Sequence, residues 1–580
     1  MTNQELADIL EEIAVLFELR GENPFKCRAF HNASRVIATT TADLQALVRT
    51  KELTTIKGIG SGIAEVITDL ATTGKSKVHS ELKSSFPEGL FEILRIPGLG
   101  PKRVKILYEK LHITNIPTLK DAATNHKLAK LDGFGEKTEK NILEAIERLT
   151  HYATKHLCSE AEESAAKILH DLQAIKSVRS AEIAGSLRRR KEVIGDIDLL
   201  VSCDTAASRH IMKAFVTHPE VESVIAHGET KSSVLLKNGI NCDLRIVRKE
   251  EYPFALSYFT GSKEHNVALR TIAKQFGWSL NEYGFSKIDA EEKRGKAKRI
   301  VPCRNEDDIY TALGMSYIPP ELRENTGEIE AAKDQTLPKL LQEKDIRGTF
   351  HCHTSWSDGR NTLEEMAMAT IDLGWEYIGI ADHSKIAAYA NGLSIERVKQ
   401  QHKEIDILNK RLKNCTIFKG TEVDILPDGT LDWGDKVLER FDYVVASIHS
   451  KFTMSEEEAT KRLIRALKNK FVTMLGHPTG RLLLQREGYP VNMKDVIKAA
   501  SDYGKMIEIN ADPLRLDLDW RFCHYAKESG VKIAINPDAH SLRGLHNVHY
   551  GVGIARKGWL EKDDVLNTMD VSGVRGVFQH

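Results

Sequence analysis

Apolar and polar positions along this chain follow two different periods, and the change between them divides it. MTNQELADILEEIAVLFELRGENPF (1–25) carries acidic residues through a helical apolar periodicity, so it predicts an amphipathic helix. Three later stretches, IKGIGSGIAEVI (56–67), IPGLGPKRVKIL (96–107) and LDGFGEKTEKNI (131–142), each run through Gly-x-Gly into another helix-like pattern. In the middle third the period drops to two. GDIDLLV (195–201) and GINCDLRIV (239–247) alternate as strands do, which puts Asp196 and Asp198 on one strand face. From residue 341 onward, short apolar segments each end in a polar motif: GTFHCHT, YIGIADHS, IFKGTEVDI, YVVASIHS, VTMLGHP, MIEINAD and IAINPDAH. Helix-like stretches separate them, and seven such units predict a barrel with its chemistry at the strands' C-terminal ends.

The glycine pairs Gly58 and Gly60, Gly98 and Gly100, and Gly133 and Gly135 permit backbone angles closed to other residues. The helix that follows each pair then offers unpaired N–H groups to a phosphate, the hairpin form of a helix-hairpin-helix. One Gly-x-Gly is an ordinary tight turn; three copies with matching flanks predict a grip on DNA that ignores base sequence.

A chain of 580 residues is too long for one core, so several domains are expected. Lys+Arg and Asp+Glu both number 82, and total charge therefore decides nothing about nucleic acid. Two local basic runs stand out, Arg188 to Lys191, and Lys293, Arg294, Lys296, Lys298 and Arg299; the second reads equally as solvated surface or as a DNA contact. Eight scattered cysteines without a CxxC pair disfavour a zinc ribbon and a disulfide framework and fit a reducing cytoplasm. The opening segment does not read as a signal peptide, and no apolar run reaches the ~20 residues of a membrane span. A soluble cytoplasmic protein without membrane contact is expected.

Two carboxylates on one face of an apolar strand repel unless a cation neutralises them, and Mg²⁺ with substrate phosphates suits such a pair. Asp243 on the second alternating strand supplies a third acid. Alone it reads as well as an edge-strand carboxylate; beside Asp196 and Asp198 it completes a set able to hold two ions for in-line attack of a hydroxyl on phosphorus. The barrel's strand ends collect His351, His353, Asp358, His383, Glu422, His449, His477, Asp538 and His540. Any one of these reads as a packed or surface residue, but nine at successive strand ends read as a metal cluster. Mixed imidazole and carboxylate donors favour two or three Mn²⁺, Zn²⁺ or Fe²⁺ ions over Mg²⁺.

The segments GSLRRRKEVIGDIDLLV (185–201), YFTGSKEHNVALR (258–270) and LNEYGF (280–285) closely resemble the family X DNA polymerases, over about residues 1–317. The resemblance implies that Asp196 and Asp198 bind both ions, Mg²⁺ or Mn²⁺, and that Asp243 activates the primer 3′ hydroxyl. Ser186, Arg189 and Gly195 would hold the incoming triphosphate. Tyr258, Phe259 and Gly261 would lie along the nucleotide sugar, and Asn266 and Arg270 would meet the minor-groove edge of the new base pair. Lys263 stands where eukaryotic relatives carry an acid. Gly62 and Val66 stand where relatives with deoxyribose-phosphate lyase activity carry lysines, so that reaction is expected to be absent or feeble by that route. The last third resembles the polymerase-and-histidinol-phosphatase (PHP) domain with all nine metal-ligand positions matched, which implies metal-dependent phosphoester hydrolysis with Glu422 as a bridging ligand.

The expected architecture is therefore multidomain, α+β and α/β. An N-terminal helical, lyase-like DNA-binding domain spans 1–85, helix-hairpin-helix fingers 86–150, a nucleotidyltransferase palm 151–247 and a thumb 248–317. A linker (318–340) leads to a TIM-like (β/α)7 PHP barrel (341–580). The expected activity is DNA-directed synthesis filling short gaps in base excision repair, with 3′–5′ exonuclease and abasic-site endonuclease activity from the barrel. Partners would be gapped or primer–template DNA and deoxynucleoside triphosphates, and the chain would act as a monomer. Two rivals are a barrel that hydrolyses a small phosphoester or pyrophosphate, and a non-catalytic DNA-end scaffold. Against the scaffold, a purely structural metal site closes with about four ligands.

Overall fold

The computed structural model describes residues 3–40, 44–94, 96, 98–152, 154–287 and 301–578; the basic run from Lys293 to Arg299 lies outside them. The chain divides into two compact units, Met1–Thr154 and Lys155–His580.

The first unit is helical. The amphipathic opening helix, Asn3–Arg20, buries Leu6, Leu10, Ile13 and Phe17 in a core shared with Phe30, Ile63 and Leu70. A second core gathers Leu90, Val104, Leu119 and Phe134. The Gly-x-Gly stretches are turns into helices: Ser61–Thr73 begins after Gly60, Pro101–Leu111 after Gly100 and Glu136–Tyr152 after Gly135. The first glycine of each pair has positive φ (100° at Gly58, 86° at Gly98, 81° at Gly133), a conformation that a side chain would strain. A Cβ built on Gly60, Gly100 or Gly135 meets nothing within 4 Å, so the approach to each helix N-terminus is open.

In the second unit a five-stranded sheet runs in the order Val178–Ile183, Asp196–Cys203, Asn241–Val247, Lys231–Leu236, Val221–His227. Helices Cys158–Gln173 and Ser208–Val216 pack on it through Ile168, Leu172, Ile211 and Phe215. Strand Asp196–Cys203 lies parallel to Asn241–Val247, with Asp198 directly opposite Asp243. Between those strands the chain forms a short 3-10 turn, one α-helix and two strands. Helices Tyr252–Thr260 and Lys263–Gln275, the hairpin Trp278–Asn281 with Gly284–Lys287, and helix Glu306–Ala312 follow.

Residues 318–340, expected as a linker, are not a solvated tether. Ile318, Leu322, Ile329 and Ala332 are buried with Phe254, Leu269 and Ile309. Proline and charge make this stretch look exposed in the sequence, but two of its charges, Arg323 and Glu328, are buried and paired. Arg323 is fully buried and donates to the Glu306 carboxylate, whose other oxygen accepts from Arg188 Nη2 at 2.7 Å. Glu328 meets His265 Nδ1 at 2.7 Å.

Seven parallel strands then form the barrel in chain order, from Gly348–Cys352 to Ile533–Asn536. First and last strands approach through a Cys352–Ala539 bridge and a Thr349 hydroxyl donating to the Ile535 carbonyl at 3.0 Å. Its N-terminal end is filled by Phe350, Tyr377, Phe418 and Tyr443, with Phe578 of the last helix seated against Phe350 and Tyr443. All eight cysteines are free, and no helix among the described residues is long and apolar enough to cross a membrane.

Glu306 carries the buried charge balance of this unit. Burial works to raise its carboxyl, but Arg323 and Arg188 hold it at about 2, below its ordinary 4.5. That stabilisation, on the order of 3 kcal/mol, is present above the unfolded value and is lost as pH falls through about 2. Glu306→Gln should destabilise the second unit by about 3–5 kcal/mol, because Arg323 is then left buried without its partner. Urea unfolding followed by tryptophan fluorescence at pH 7 measures this; a loss below ~1 kcal/mol would show that the pair is dispensable.

Candidate metal centres

The first centre opens beside the ends of the paired parallel strands. Asp196 and Asp198 leave the same face of Asp196–Cys203, and Asp243 stands across from Asp198. Burial, together with the charges of Asp196 and Asp243, pushes the Asp198 carboxyl up to about 7. Lys231 Nζ lies 2.7 Å from Asp243 and offsets only part of this charge. The trio thus gathers negative charge that a divalent cation would neutralise. Gly185 is required here: it has φ 63°, and a Cβ on it would lie 2.1 Å from the Asp198 carboxylate.

A cleft of about 340 Å³ beside the trio is lined by Ser186, Arg189, Asp196, Asp198, Tyr258, Phe259, Gly261, Asn266 and Arg270, with Gly185, Ser262 and Lys263. The structure therefore brings together seven of the eight residues expected around a nucleotide; Gly195 precedes Asp196 in the chain without lining the cleft. Asn266 donates to the Tyr258 carbonyl at 2.7 Å, and the Arg245 guanidinium lies 4.4 Å from the Phe259 ring centre. Sequence reasoning missed Lys231 and Arg245. Arg245 shares the face of Asp243 by the strand's own two-residue period, whereas Lys231 is brought to that face by the strand register.

The second centre is the C-terminal mouth of the barrel, and all nine expected ligands meet there. They fall into four overlapping groups: His353, Asp358, His383 and His540; His351, His353 and Asp538; His351, Glu422 and His477; His383, Glu422 and His449. Glu422 is central. Its carboxylate lies 3.2 Å from His351, 3.0 Å from His383, 3.1 Å from His449 and 3.0 Å from His477. His353 Nε2 is 3.1 Å from Asp538, and His540 Nε2 is 3.4 Å from Asp358.

Several of these contacts are short yet lack hydrogen-bond geometry. His351 Nε2, both ring nitrogens of His353 and His383 Nδ1 are buried without a hydrogen-bond partner. Native proteins rarely leave such atoms unpaired, and nitrogen lone pairs that converge with carboxylates suit metal ions. Burial and the neighbouring His540 and His383 push His353 down to about 3, so its ring stays neutral and able to ligate. Burial disfavours charge on His449 as well, but Glu422 and Asp424 raise it to about 10. His351 and Asp538 hold φ of 53° and 51°, strain of the kind that concentrates at functional sites.

A surrounding shell, not identified from the sequence, orients these rings. Glu508, wholly buried on strand Met506–Asn510, accepts from His351 Nδ1 at 2.6 Å and is itself held by Asn510 and Asn536. Asp424 meets His449 Nδ1 at 3.2 Å. The signal was an acid inside an otherwise apolar strand, MIEIN, and a second acid two residues after Glu422.

A palm with three facing carboxylates and a barrel mouth with nine convergent ligands define a chain with two separate centres suited to phosphoester chemistry. Comparison with known proteins places it further. Profiles match for "Helix-hairpin-helix domain" over residues 1–76, "SAM-like Helix-hairpin-helix tandem" over 91–148, "DNA polymerase beta palm" over 158–238, "DNA polymerase beta thumb" over 255–324 and "PHP domain" over 349–512. The DNA polymerase/3′-5′ exonuclease PolX of Bacillus subtilis (strain 168) is 39% identical over 576 residues, 99% of each chain. A probable phosphatase of Thermoanaerobacter sp. (strain X514) is 31% identical over 237 residues, 39% of this chain and 91% of its own. A solved Leishmania infantum polymerase beta, in a ternary P/T complex, aligns over 41% of this chain and 98% of its own at 24% identity and TM-score 0.28. The chain belongs to the family X DNA polymerases, in the PolX group that joins a polymerase beta-like core to a PHP domain.

Glu508→Gln keeps the shape of the side chain but removes the charge that orients His351. Mn²⁺ affinity at the barrel should fall about 10–100-fold, as when an outer partner of a ligating histidine is lost. Isothermal titration with Mn²⁺ reads this directly, and unchanged affinity would show that His351 is not oriented through Glu508.

Proposed function

We propose that this chain fills short gaps in DNA by template-directed nucleotide addition at the palm and removes nucleotides from the primer 3′ end at the barrel. The observation that carries the reading is the coexistence of two complete ligand sets, three carboxylates and nine barrel residues, in a chain 39% identical to a polymerase/exonuclease over nearly its whole length.

Asp196 and Asp198, with Asp243, would hold Mg²⁺ or Mn²⁺, and the nine barrel residues two or three Mn²⁺, Zn²⁺ or Fe²⁺ ions. Such ions neutralise phosphate charge and make water or a hydroxyl a better nucleophile. The chain's own groups do the rest. Ser186 and Arg189 bind the triphosphate, the guanidinium offering paired donors to its oxygens. Tyr258, Phe259 and Gly261 seat the sugar, and Asn266 and Arg270 face the base-pair edge. Asp243 takes the proton from the primer 3′ hydroxyl as it attacks the α-phosphorus and the pyrophosphate leaves. At the barrel Glu422 bridges neighbouring ligand groups, and the buried imidazoles around it keep the cluster rigid. The same hydrolysis also suits an abasic-site nick. The open Gly-x-Gly helix ends of the first unit hold duplex phosphates on gapped or primer–template DNA, in a repair role. A rival reading, hydrolysis of a small phosphoester, draws on the probable phosphatase similar to the barrel.

A 5′-labelled primer on gapped DNA with Mn²⁺, with and without nucleotides, tests the proposal. Asp196→Ala should lose extension to below about a hundredth and keep shortening, while His351→Ala should do the reverse. Shortening that persists in His351→Ala, or never occurs in the wild type, assigns the barrel to another phosphoester. Affinity for gapped DNA should also fall at least ~10-fold between ~50 and ~200 mM salt; affinity flat across that range would remove the hairpins' phosphate grip.

A further inference from the structure

One barrel helix reaches the polymerase cleft from behind. Val548–Lys557 follows the last barrel strand, and Lys557 at its end is wholly buried. Its ammonium donates to three acceptors: the Arg189 carbonyl at 3.1 Å, the Glu321 carbonyl at 3.3 Å and Glu324 Oε1 at 2.6 Å. Glu324 Oε1 also accepts from Arg189 Nε at 3.0 Å, and Arg189 Nη1 donates to the Thr260 carbonyl. Two of the three nitrogens of the Arg189 guanidinium are thus held by protein acceptors while the residue lines the cleft. The same helix braces the neighbouring turn. A Cβ on Gly553 would lie 3.4 Å from the Arg190 side chain, and His549 and Arg190 both contact Glu162.

We propose that Lys557, a residue of the PHP half, is a positioning residue for nucleotide binding, acting on Arg189 through Glu324. The inference rests on the reading of Arg189 as a triphosphate ligand. Its physical basis is competition for one carboxylate. Glu324 shares its charge among Lys557, Arg189 and Lys191, whose Nζ lies 3.8 Å from its other oxygen; without Lys557 more of that charge falls on Arg189, bound to the same oxygen, and opposes the triphosphate. The polymerase cleft is then partly built by the domain that carries the second centre.

Single-nucleotide incorporation on gapped DNA by the full chain tests this. Lys557→Met should raise KM for the nucleotide about tenfold, the worth of one charge-assisted hydrogen bond, with a smaller change in kcat. Lys557→Arg should largely rescue it, and adding Glu324→Gln to Lys557→Met should bring KM back toward the wild-type value. Primer shortening without nucleotides should be unchanged in Lys557→Met, which also reports that the chain is folded. An unchanged KM in Lys557→Met, or a rise that Glu324→Gln does not relieve, overturns the proposal. Should Lys557→Met not fold, Glu324→Gln alone decides: a lowered KM supports the proposal and an unchanged one overturns it. Arg189→Ala separates the two levels. If it leaves KM unchanged, the reading of Arg189 as a phosphate ligand fails; if it raises KM while Lys557→Met does not, only the role of Lys557 fails.

Discussion

Asp198 shares a strand face with Asp196 and lies opposite Asp243 on the adjoining strand, and its burial, with the repulsion of both neighbours, pushes its carboxyl up to about 7. A sheet that brings three acids together near the starts of two interior strands is tolerable only if positive charge is supplied there. Much of the local architecture follows from this demand. Lys231 supplies part of it beside Asp243, and Gly185 gives up its side chain so that the backbone can pass next to Asp198. The barrel makes the same demand in another form: imidazole nitrogens converge with Glu422, Asp358 and Asp538 without hydrogen-bond geometry at several atoms, an arrangement that suits a cation between them.

The second unit is also held by charge taken out of water. Glu306, Glu324 and Glu328 each sit against buried cations or imidazole in and around residues 306–328. Such pairs contribute little net stability compared with apolar packing of the same volume, but losing one partner is costly. They therefore suit a region that must keep one arrangement. Here that arrangement joins the thumb, the Arg188–Arg190 turn and the barrel helix Val548–Lys557, so the cleft beside the carboxylates and the barrel share supporting residues.

Much of this was legible in the sequence because the chemistry lies on regular elements. Gly-x-Gly before a helical pattern, Asp-x-Asp on an alternating strand and His-x-His at a strand end each place their residues by local period alone. Glu508 and Asp424 were less legible. Glu508 looks like a single acid in an apolar strand and Asp424 like a spare acid beside Glu422, and the meaning of each comes from an imidazole supplied by another segment. Residues 318–340 misled for a related reason: composition reports charge and proline, and it does not report that Arg323 and Glu328 find partners inside.

The sequence by itself therefore determined the succession of helical, sheet and barrel segments and singled out the three carboxylates and the nine barrel residues that converge, because strand and helix periods decide which side chains share a face. Only the tertiary structure decided what those residues meet. Register placed Lys231 near Asp243, barrel closure brought His351 and Asp538 from the first and last strands to one centre, and a distant helix put Lys557 behind Arg189. These are long-range contacts between segments whose local patterns are independent, so nothing in either segment announces the other.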